Sequence, residues 1–397
     1  MALLERLIRI CSNFCKAALL LLLLQALTGC TLLDTCRGTR PILKIGLIAP
    51  FEGIERPLGY EALQGVKLAI AQWNAQDGPG SYMIELVALN DANDPNEARL
   101  QARELSVDPA VLGVVAGWNT ETAEAIVPVL QQEGLATVLS WSVPHGLADL
   151  GHGTALIAAN EEQVAEVLVR YLSDTVSCHN IVVVGDERVV APYLSLFPDC
   201  ARGVFPPESQ GREELRSWVT TLLQEGPSPP ETLILAADAV QAGEIVRAVR
   251  QSFWPGLLVG AARTGSTLLL DIAGREAHGM AIVSPAPAGS DLPPHFRETV
   301  NSLAALSPRA LLAYDAAQVL LRAIDINVAE EGIPSREGLI RALPRVRVKG
   351  LTGTITFGPD GQRSHPAIWL YRIEDDRYPG TPIRQISIPS TSESGER

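Results

Sequence analysis

The chain has 397 residues, of which 47% are hydrophobic and 19% charged, with a formal net charge of -13 at pH 7. That length predicts two or three domains at about 100–200 residues each, with enough apolar content for a well-packed core. The acidic balance and the lack of any Lys/Arg cluster exclude nucleic acid as a partner.

The first 29 residues read as a targeting segment. Arg6, Arg9 and Lys16 give a basic start, and Ala17–Leu27 an apolar core too short for an ordinary spanning helix of ~20 residues. Leu27-Thr28-Gly29-Cys30 follows and resembles the lipobox of bacterial lipoproteins, in which small residues fit the peptidase and the cysteine thiol takes a diacylglycerol. Residues 30–41 then read as a lipidated tether, and no later stretch is long and apolar enough to span a membrane. The expected product is exported and held to the extracytoplasmic face of the cell membrane only by the Cys30 lipid. Cys11 and Cys15 leave with the signal and Cys36 lies in the tether, so Cys178 and Cys200 remain in the folded part. A strand going up and a helix coming back place both at the bottom of one βα unit, where a disulfide is geometrically reasonable in an oxidising compartment.

From Ile42 onward, strand and helix patterns alternate, the signature of a parallel α/β sheet. Leu43–Ala49 reads as a strand, Gly59–Asn74 as an amphipathic helix, Met83–Leu89 as a strand, and Asp94-Pro95 opens a helix to about Val107. Val111–Ala116 is a short β-branched run with the composition of a strand buried on both faces. Asn119 or Thr120 caps a helix to about Glu133, Leu135–Leu139 is the next strand, and Ser140-Trp141-Ser142 follows at once. Adjacent parallel strands put Asn119, Thr120, Ser140 and Ser142 on one carboxyl edge of the sheet, where open α/β sheets bind ligands. Hydroxyls, an amide and free N–H groups at a helix start suit an anionic or carbonyl group. Trp141 and Trp118 sit beside these donors, with Trp141 the better candidate to face a ligand, while Phe51 and Leu58 are open to cleft lining or core packing.

A second series follows without a long linker. Helical patterns at Glu161–Ser173, Val190–Phe197, Glu213–Gln224 and Val240–Phe253 alternate with strands at Ile181–Val184, Gly203–Phe205, Leu233–Ala236 and Leu257–Val259. Gly279–Val283 reads as a strand returning toward the first lobe, and Arg309–Val328 as a long helix. Leu351–Phe357 and Ile368–Ile373 flank Gly358-Pro359-Asp360-Gly361, a turn signal that predicts antiparallel strands. Gly260–Thr267 has the glycines of a phosphate loop, but Ser266 stands where the lysine is needed, so it reads as an ordinary strand-to-helix turn. His145 and His152 read as solvated loop residues, and Asp91 and Asp94 as a cap and a turn. No nucleophile, base or metal-ligand spacing is present, so neither an enzyme nor a cofactor or metal site is expected.

These stretches together resemble the type I solute-binding proteins of ABC importers, specifically the branched-chain amino-acid (Leu/Ile/Val) binding proteins. The resemblance rests on Ile45-Gly-Leu-Ile-Ala-Pro with Gly53 and Gly59, the helix ending Trp73-Asn74, and Leu89-Asn90-Asp91 with Asp94-Pro95. Gly117-Trp-Asn-Thr120, Ala313-Tyr-Asp-Ala316 and Phe357-Gly-Pro-Asp-Gly361 add to it, and it covers about residues 42–389. It implies an α/β fold of two Rossmann-like lobes with central parallel sheets, joined by three crossovers and closing on a small solute. The expected division is 42–157 with 282–334 for lobe one, 158–281 with 335–389 for lobe two, and a disordered tail at 390–397. It implies a carboxylate held by the turns bearing Asn119-Thr120 and Ser140-Ser142, Leu58 at a place often aromatic, and Asp186, Glu187 and Asp238 at the second lobe's strand ends. The acid that commonly grips the ligand's amino group appears here as Ala262, followed by Arg263, and Val190 stands at another usually aromatic contact. Specificity stays open between an amino acid, with Asp238 as the ammonium acceptor, and a more anionic carboxylate or amide favoured by Arg263. The implied partner is an ABC permease; the alternative is a sensory module of the same fold coupled to a signalling protein.

Overall fold

The computed structural model describes residues 40–76, 82–141, 143–144, 146–175, 180–207, 211–225, 228–294, 296 and 306–388. The targeting segment, Cys30, most of the tether, Ser142, His145, Cys178 and the tail lie outside the described residues.

Short runs buried on both faces become the interior strands of two sheets. β1 (Ile42–Ala49), β2 (Met83–Asn90), β3 (Val111–Ala116), β4 (Ala136–Leu139) and β5 (Thr154–Leu156) pair in parallel in the order β2-β1-β3-β4-β5. Every residue of β3 and β4 is buried, as expected where helices cover both sides of a parallel sheet. The helices between these strands are α1 (Arg56–Ala75), α2 (Pro95–Val107) and α3 (Thr120–Gln132). Asp94 caps α2 by accepting from the Asn96 and Glu97 amides, and Asp91 Oδ1 accepts from the Asn93 amide at 2.9 Å.

The chain then passes through α4 (Glu161–Thr175), β6 (Ile181–Val184), α5 (Glu187–Leu196), β7 (Ala201–Val204), α6 (Arg212–Gln224), β8 (Thr232–Leu235), α7 (Ala239–Gln251), β9 (Leu257–Gly260), α8 (Thr267–Ala273) and β10 (Ala281–Ser284). It returns to the first lobe with α9 (Pro308–Glu331), α10 (Arg336–Ala342), β11 (Val348–Gly350) and β12 (Gly353–Ile355), then crosses back with β13 (Ala367–Arg372) and β14 (Thr381–Ser387). The second sheet has the order β14-β13-β10-β9-β8-β6-β7, with β13 and β14 antiparallel. The molecule is therefore two α/β lobes, with the chain crossing between them three times. Cys200 is disulfide-bonded, and its carbonyl accepts from the Ile181 amide at the base of β6.

Three expectations need correction. β10 does not return to the first sheet but inserts between β9 and β13 of the second, so the crossing comes after Ser284. The segment after 335 does not begin lobe two: α10 packs on α9, β3 and β4 of the first lobe. The strands flanking Gly358–Gly361 do not pair with each other; β12 pairs with β11, and β13 with β10 and β14. The turn is real, but instead of closing a hairpin it carries bridges from Phe357 to Arg363 and from Leu156 to Gln362 and sends the chain from one lobe to the other.

α9 is apolar on nearly all sides and buried along most of its length, as a helix at a lobe centre should be. Its closest neighbour is α1, across Gly65. A Cβ on Gly65 would fall onto the Ala310 carbonyl oxygen and within 2.8 Å of the Tyr314 nitrogen. Both obstacles are backbone, so neither can rotate away. Gly65→Ala is expected to lower stability by about 1–3 kcal/mol, read as a fall in thermal midpoint; an unchanged midpoint would mean that the two helices can separate without loss.

Candidate functional site

The carboxyl edges of the two sheets face one cleft. On the first lobe, Gly117 takes φ 80° at the end of β3 and turns the chain, and Asn119 then caps α3 by accepting from the Thr122 amide at 2.7 Å. On the second lobe, three strand ends are followed by caps: Asp186 accepts from the Arg188 and Val189 amides, Asp238 from Gln241, and Ser266 from Leu268.

Between the edges lies an inner cavity of about 240 Å³. The first lobe lines it with Glu55, Leu58, Asn93, Trp118, Asn119 and Glu121, the second with Asp238, Arg263 and Ser266, and the first turn of α9 with Arg309. At ~30 Å³ per water this is room for about eight waters, the scale of a compact solute. Outside it, an opening of about 440 Å³ carries Glu121, Asp186, Glu187 and Asp238 around Arg263, with Phe205 at its side. A larger groove of about 520 Å³ lies away from the cleft around Trp254 and Phe253, and only one charged side chain, Glu231, lines it.

Arg263 holds the cleft together. Its Nη2 donates to Glu121 Oε1 across the cleft at 3.0 Å, while Nη1 lies 3.8 Å from Glu161 and 3.6 Å from Asp186. Burial pulls its pKa down, but the attraction of Glu121, Glu161 and Asp186 outweighs this and holds it above the ordinary arginine value. Trp141 reaches the other way, its indole Nε1 donating to the Ala262 carbonyl at 3.3 Å. Leu58 of the first lobe packs into the apolar cluster of the second. At the rim, Arg188 pairs with Glu124 at 2.7 Å, an exposed contact of small energetic weight.

Two carboxyl groups here are poised near neutrality. Burial, then the charge of Asp238 from the opposite lobe, pushes Glu55 up to about 7, against Asn93 and Arg309. Burial also pushes Glu161 up to about 7, against Arg263 and a hydrogen bond from the Thr120 hydroxyl. A carboxyl whose pKa is raised from 4.5 to about 7 favours the folded form fully below its unfolded value and loses that contribution as pH rises through about 7. The unliganded protein is therefore expected to melt at a higher temperature at pH 5 than at pH 8, and E55Q should flatten that slope. A midpoint that climbs from pH 5 to pH 8 would contradict this.

The residues singled out from sequence divide in two. Asn119, Leu58, Asp238 and Arg263 reach the inner cavity and Asp186 its outer neighbour. Thr120, Ser140 and Trp141 do not line either. The Thr120 hydroxyl donates to Glu161 at 3.1 Å, Ser140 is wholly buried with its Oγ unpaired, and Trp141 is buried against Arg309 and the Ala262 carbonyl. Trp118, the less favoured tryptophan, is the one on the cavity wall, its Nε1 donating to the Ile48 carbonyl at 2.7 Å. Val190 is buried in the second lobe's core, and His152 pairs with Asp149 on an exposed loop. Glu55, Asn93 and Arg309 were not singled out. Glu55 and Asn93 sit in irregular turns, and Arg309 opens a helix whose pattern reads as core.

A family model described as periplasmic binding protein matches residues 42–193. The Leu/Ile/Val-binding protein homolog 3 of Brucella melitensis is 20% identical over 351 residues, covering 85% of this chain and 93% of that one. The branched-chain amino acid transporter substrate binding protein LivJ of Streptococcus pneumoniae, solved in complex with isoleucine, superposes with a TM-score of 0.75 at 15% identity over 87% of this chain and 99% of that one. A solute binding protein of an ABC transporter from Rhodopseudomonas palustris, in complex with 3,4-dihydroxy benzoic acid, gives 0.71 at 15% identity over 89% and 99%. The fold is the type I periplasmic-binding fold.

Proposed function

We propose that this chain, with the fold of type I periplasmic binding proteins and Leu/Ile/Val-binding proteins among its relatives, is an extracytoplasmic solute receptor of an ABC importer. It captures a compact polar solute, an amino acid or a related carboxylate or amide, between its lobes and presents the closed form to a permease. The observation that carries this reading is the inner cavity: small, charged, and lined from both lobes at the carboxyl edges of their sheets. Two of its structural neighbours were solved with solutes of different chemistry, isoleucine and 3,4-dihydroxy benzoic acid. In this reading Cys30 carries the lipid that keeps the receptor at the membrane surface, and the described residues include no helix long and apolar enough to cross it. The role is binding without chemistry: at the cavity Asn119 and Asp238 cap helices and Glu121 pairs with Arg263, rather than standing as nucleophile and base.

The test is a thermal-shift screen on protein beginning after Cys30, unfolded and refolded to strip carried-over solute. Amino acids, their amides, aromatic acids and dicarboxylates form the panel. A bound solute at a hundred times its dissociation constant adds about 2.7 kcal/mol of stability, an easily read shift. A flat response to the whole panel would overturn the reading.

A further inference from the structure

We propose that Arg309 is the anion anchor of the inner cavity, and that the captured solute presents a carboxylate to its guanidinium. The inference deepens the solute-receptor reading and rests on it for the cavity's purpose, but Arg309 itself is argued from its own surroundings.

Arg309 is 2% exposed, yet its side chain lines the cavity. One face of the guanidinium is covered by the Trp141 ring, 3.9 Å to the centroid. Its hydrogen bonds are long: Nη1 to the Trp118 carbonyl at 3.5 Å and Nη2 to the Gly265 carbonyl at 3.4 Å. Nε has no hydrogen-bond partner. The carboxylate paired with it, Glu61, stays 3.9 Å away, and its two oxygens already accept from the Ser307 and Thr267 hydroxyls. Burial pushes Glu61 toward its neutral form, which weakens it further as a counterion. Arg263, on the same cavity, also has a nitrogen without a hydrogen-bond partner, Nη1, but three carboxylates within 4 Å answer its charge.

An arginine stays protonated when buried, and its five N–H groups seek acceptors in one plane. Two long bonds to carbonyls leave this cation short of acceptors at the wall of a cavity that reaches it, and the carboxyl groups that act on it, Glu61 and Glu55, are both pushed by burial toward their neutral forms. A carboxylate supplies both charge and acceptors, with two oxygens matched to the guanidinium edge. Trp141 then has a role that its burial did not suggest: it is the platform that fixes the plane of Arg309, and so the direction from which the anion is met. A neutral carboxamide of the same shape leaves the charge unanswered and puts N–H donors against donors.

The test compares acetate and acetamide, observed by broadening of their proton NMR lines over protein stripped of solute at pH 7.5. Acetate is expected to broaden and acetamide not. Arg309→Met should weaken acetate binding by about tenfold to a hundredfold, and Arg309→Lys, which keeps the charge but loses the fork, should fall between the two. Equal broadening by acetate and acetamide, or an acetate response that R309K leaves at its wild-type value, would overturn the proposal even if R309M did not fold. The solute reading fails separately: acetate held by Arg309 with no response to the larger panel would leave an anion site without a transport solute, whereas a panel solute bound equally well as acid and amide would keep the receptor and remove the anchor.

Discussion

Arg263→Met is expected to part the two lobes in the absence of solute, with a rise in the radius of gyration measured by X-ray scattering. The wild-type cleft brings Glu121 of the first lobe to Glu161 and Asp186 of the second, and the Arg263 guanidinium is what makes that convergence tolerable. Taking the cation away while the lobes stay closed leaves Glu121 facing Asp186 beside Glu161, whose carboxyl, already pushed up to about 7 with the cation present, then takes a proton; removing one partner of a buried ion pair costs about 3–5 kcal/mol. The figure sits at the low end here, because Glu121 and Asp186 are 38% and 46% exposed. The protein has a cheaper escape than unfolding. Opening the cleft parts Glu121 from the two acids of the second lobe, at the loss of the Trp141 bond to Ala262 and of the Leu58 contact with the second lobe. Arg263→Lys should give an intermediate opening, since an ammonium reaches fewer of the three at once. Scattering from R263M that superposes on wild type would show that apolar contacts, not this cation, hold the lobes. The same logic separates two roles within one cavity: Arg263 sets whether the cleft is shut, Arg309 what it shuts upon.

Much of the fold was legible because interior strands of a parallel sheet announce themselves. Val111–Ala116 and Ile181–Val184 are apolar, β-branched and bounded by turn residues, and both form at the expected residues. The Asn119 cap was legible for a similar reason, since it follows a strand and its side-chain oxygen can satisfy the free amides of the next helix; Asp186 and Asp238, read from sequence as ligand contacts, also cap helices. What failed was pairing. β10 reads the same whichever sheet it joins, since its four buried residues carry no information about their neighbours. The Gly358–Gly361 turn was assigned to a hairpin because turn chemistry is local, whereas the partners of β12 and β13 are set by the crossing between lobes. The cavity was half legible. Residues at strand ends could be named, but Arg309 could not, because an arginine in the first turn of an otherwise apolar helix looks like an ordinary exposed helix start. Nor could the inversion of the two tryptophans be foreseen: Trp118 and Trp141 follow neighbouring strands in similar turns, and only the reach of each indole, to Ile48 or to Ala262, decides which one lines the cavity.

Asp315→Ala is expected to cost about 3–5 kcal/mol of unfolding free energy, measured by urea denaturation. Asp315 is wholly buried in the middle of α9, and its carboxylate accepts from the Leu351 amide at 2.7 Å, the Thr352 amide at 2.8 Å and the Thr352 hydroxyl at 2.6 Å. These three bonds dock the β11–β12 hairpin on the helix. The fit also explains Gly350, whose absent Cβ would meet the carboxylate carbon at 2.6 Å. Burial pushes the Asp315 pKa up, while Thr352, Leu351 and the nearby Arg363 charge hold it back. Alanine would strand buried amides with no acceptor, and would take a counter-charge from Arg363, itself 4% exposed. Asparagine is the sharper variant: it keeps the shape and one acceptor but turns an NH₂ toward an N–H or hydroxyl donor, so D315N should lose about 1–3 kcal/mol rather than recover wild-type stability. A D315A midpoint within error of wild type would mean that the hairpin is held by Leu351 packing alone. The loss should register in stability and not in solute affinity of the folded fraction. Arg309 stands earlier on the same helix and is positioned by Trp141, Trp118 and Gly265, none of which touches the hairpin bonds. One helix therefore carries two buried charges with opposite duties, a carboxylate whose acceptor positions are filled by the protein and a guanidinium held by two long bonds at the cavity wall.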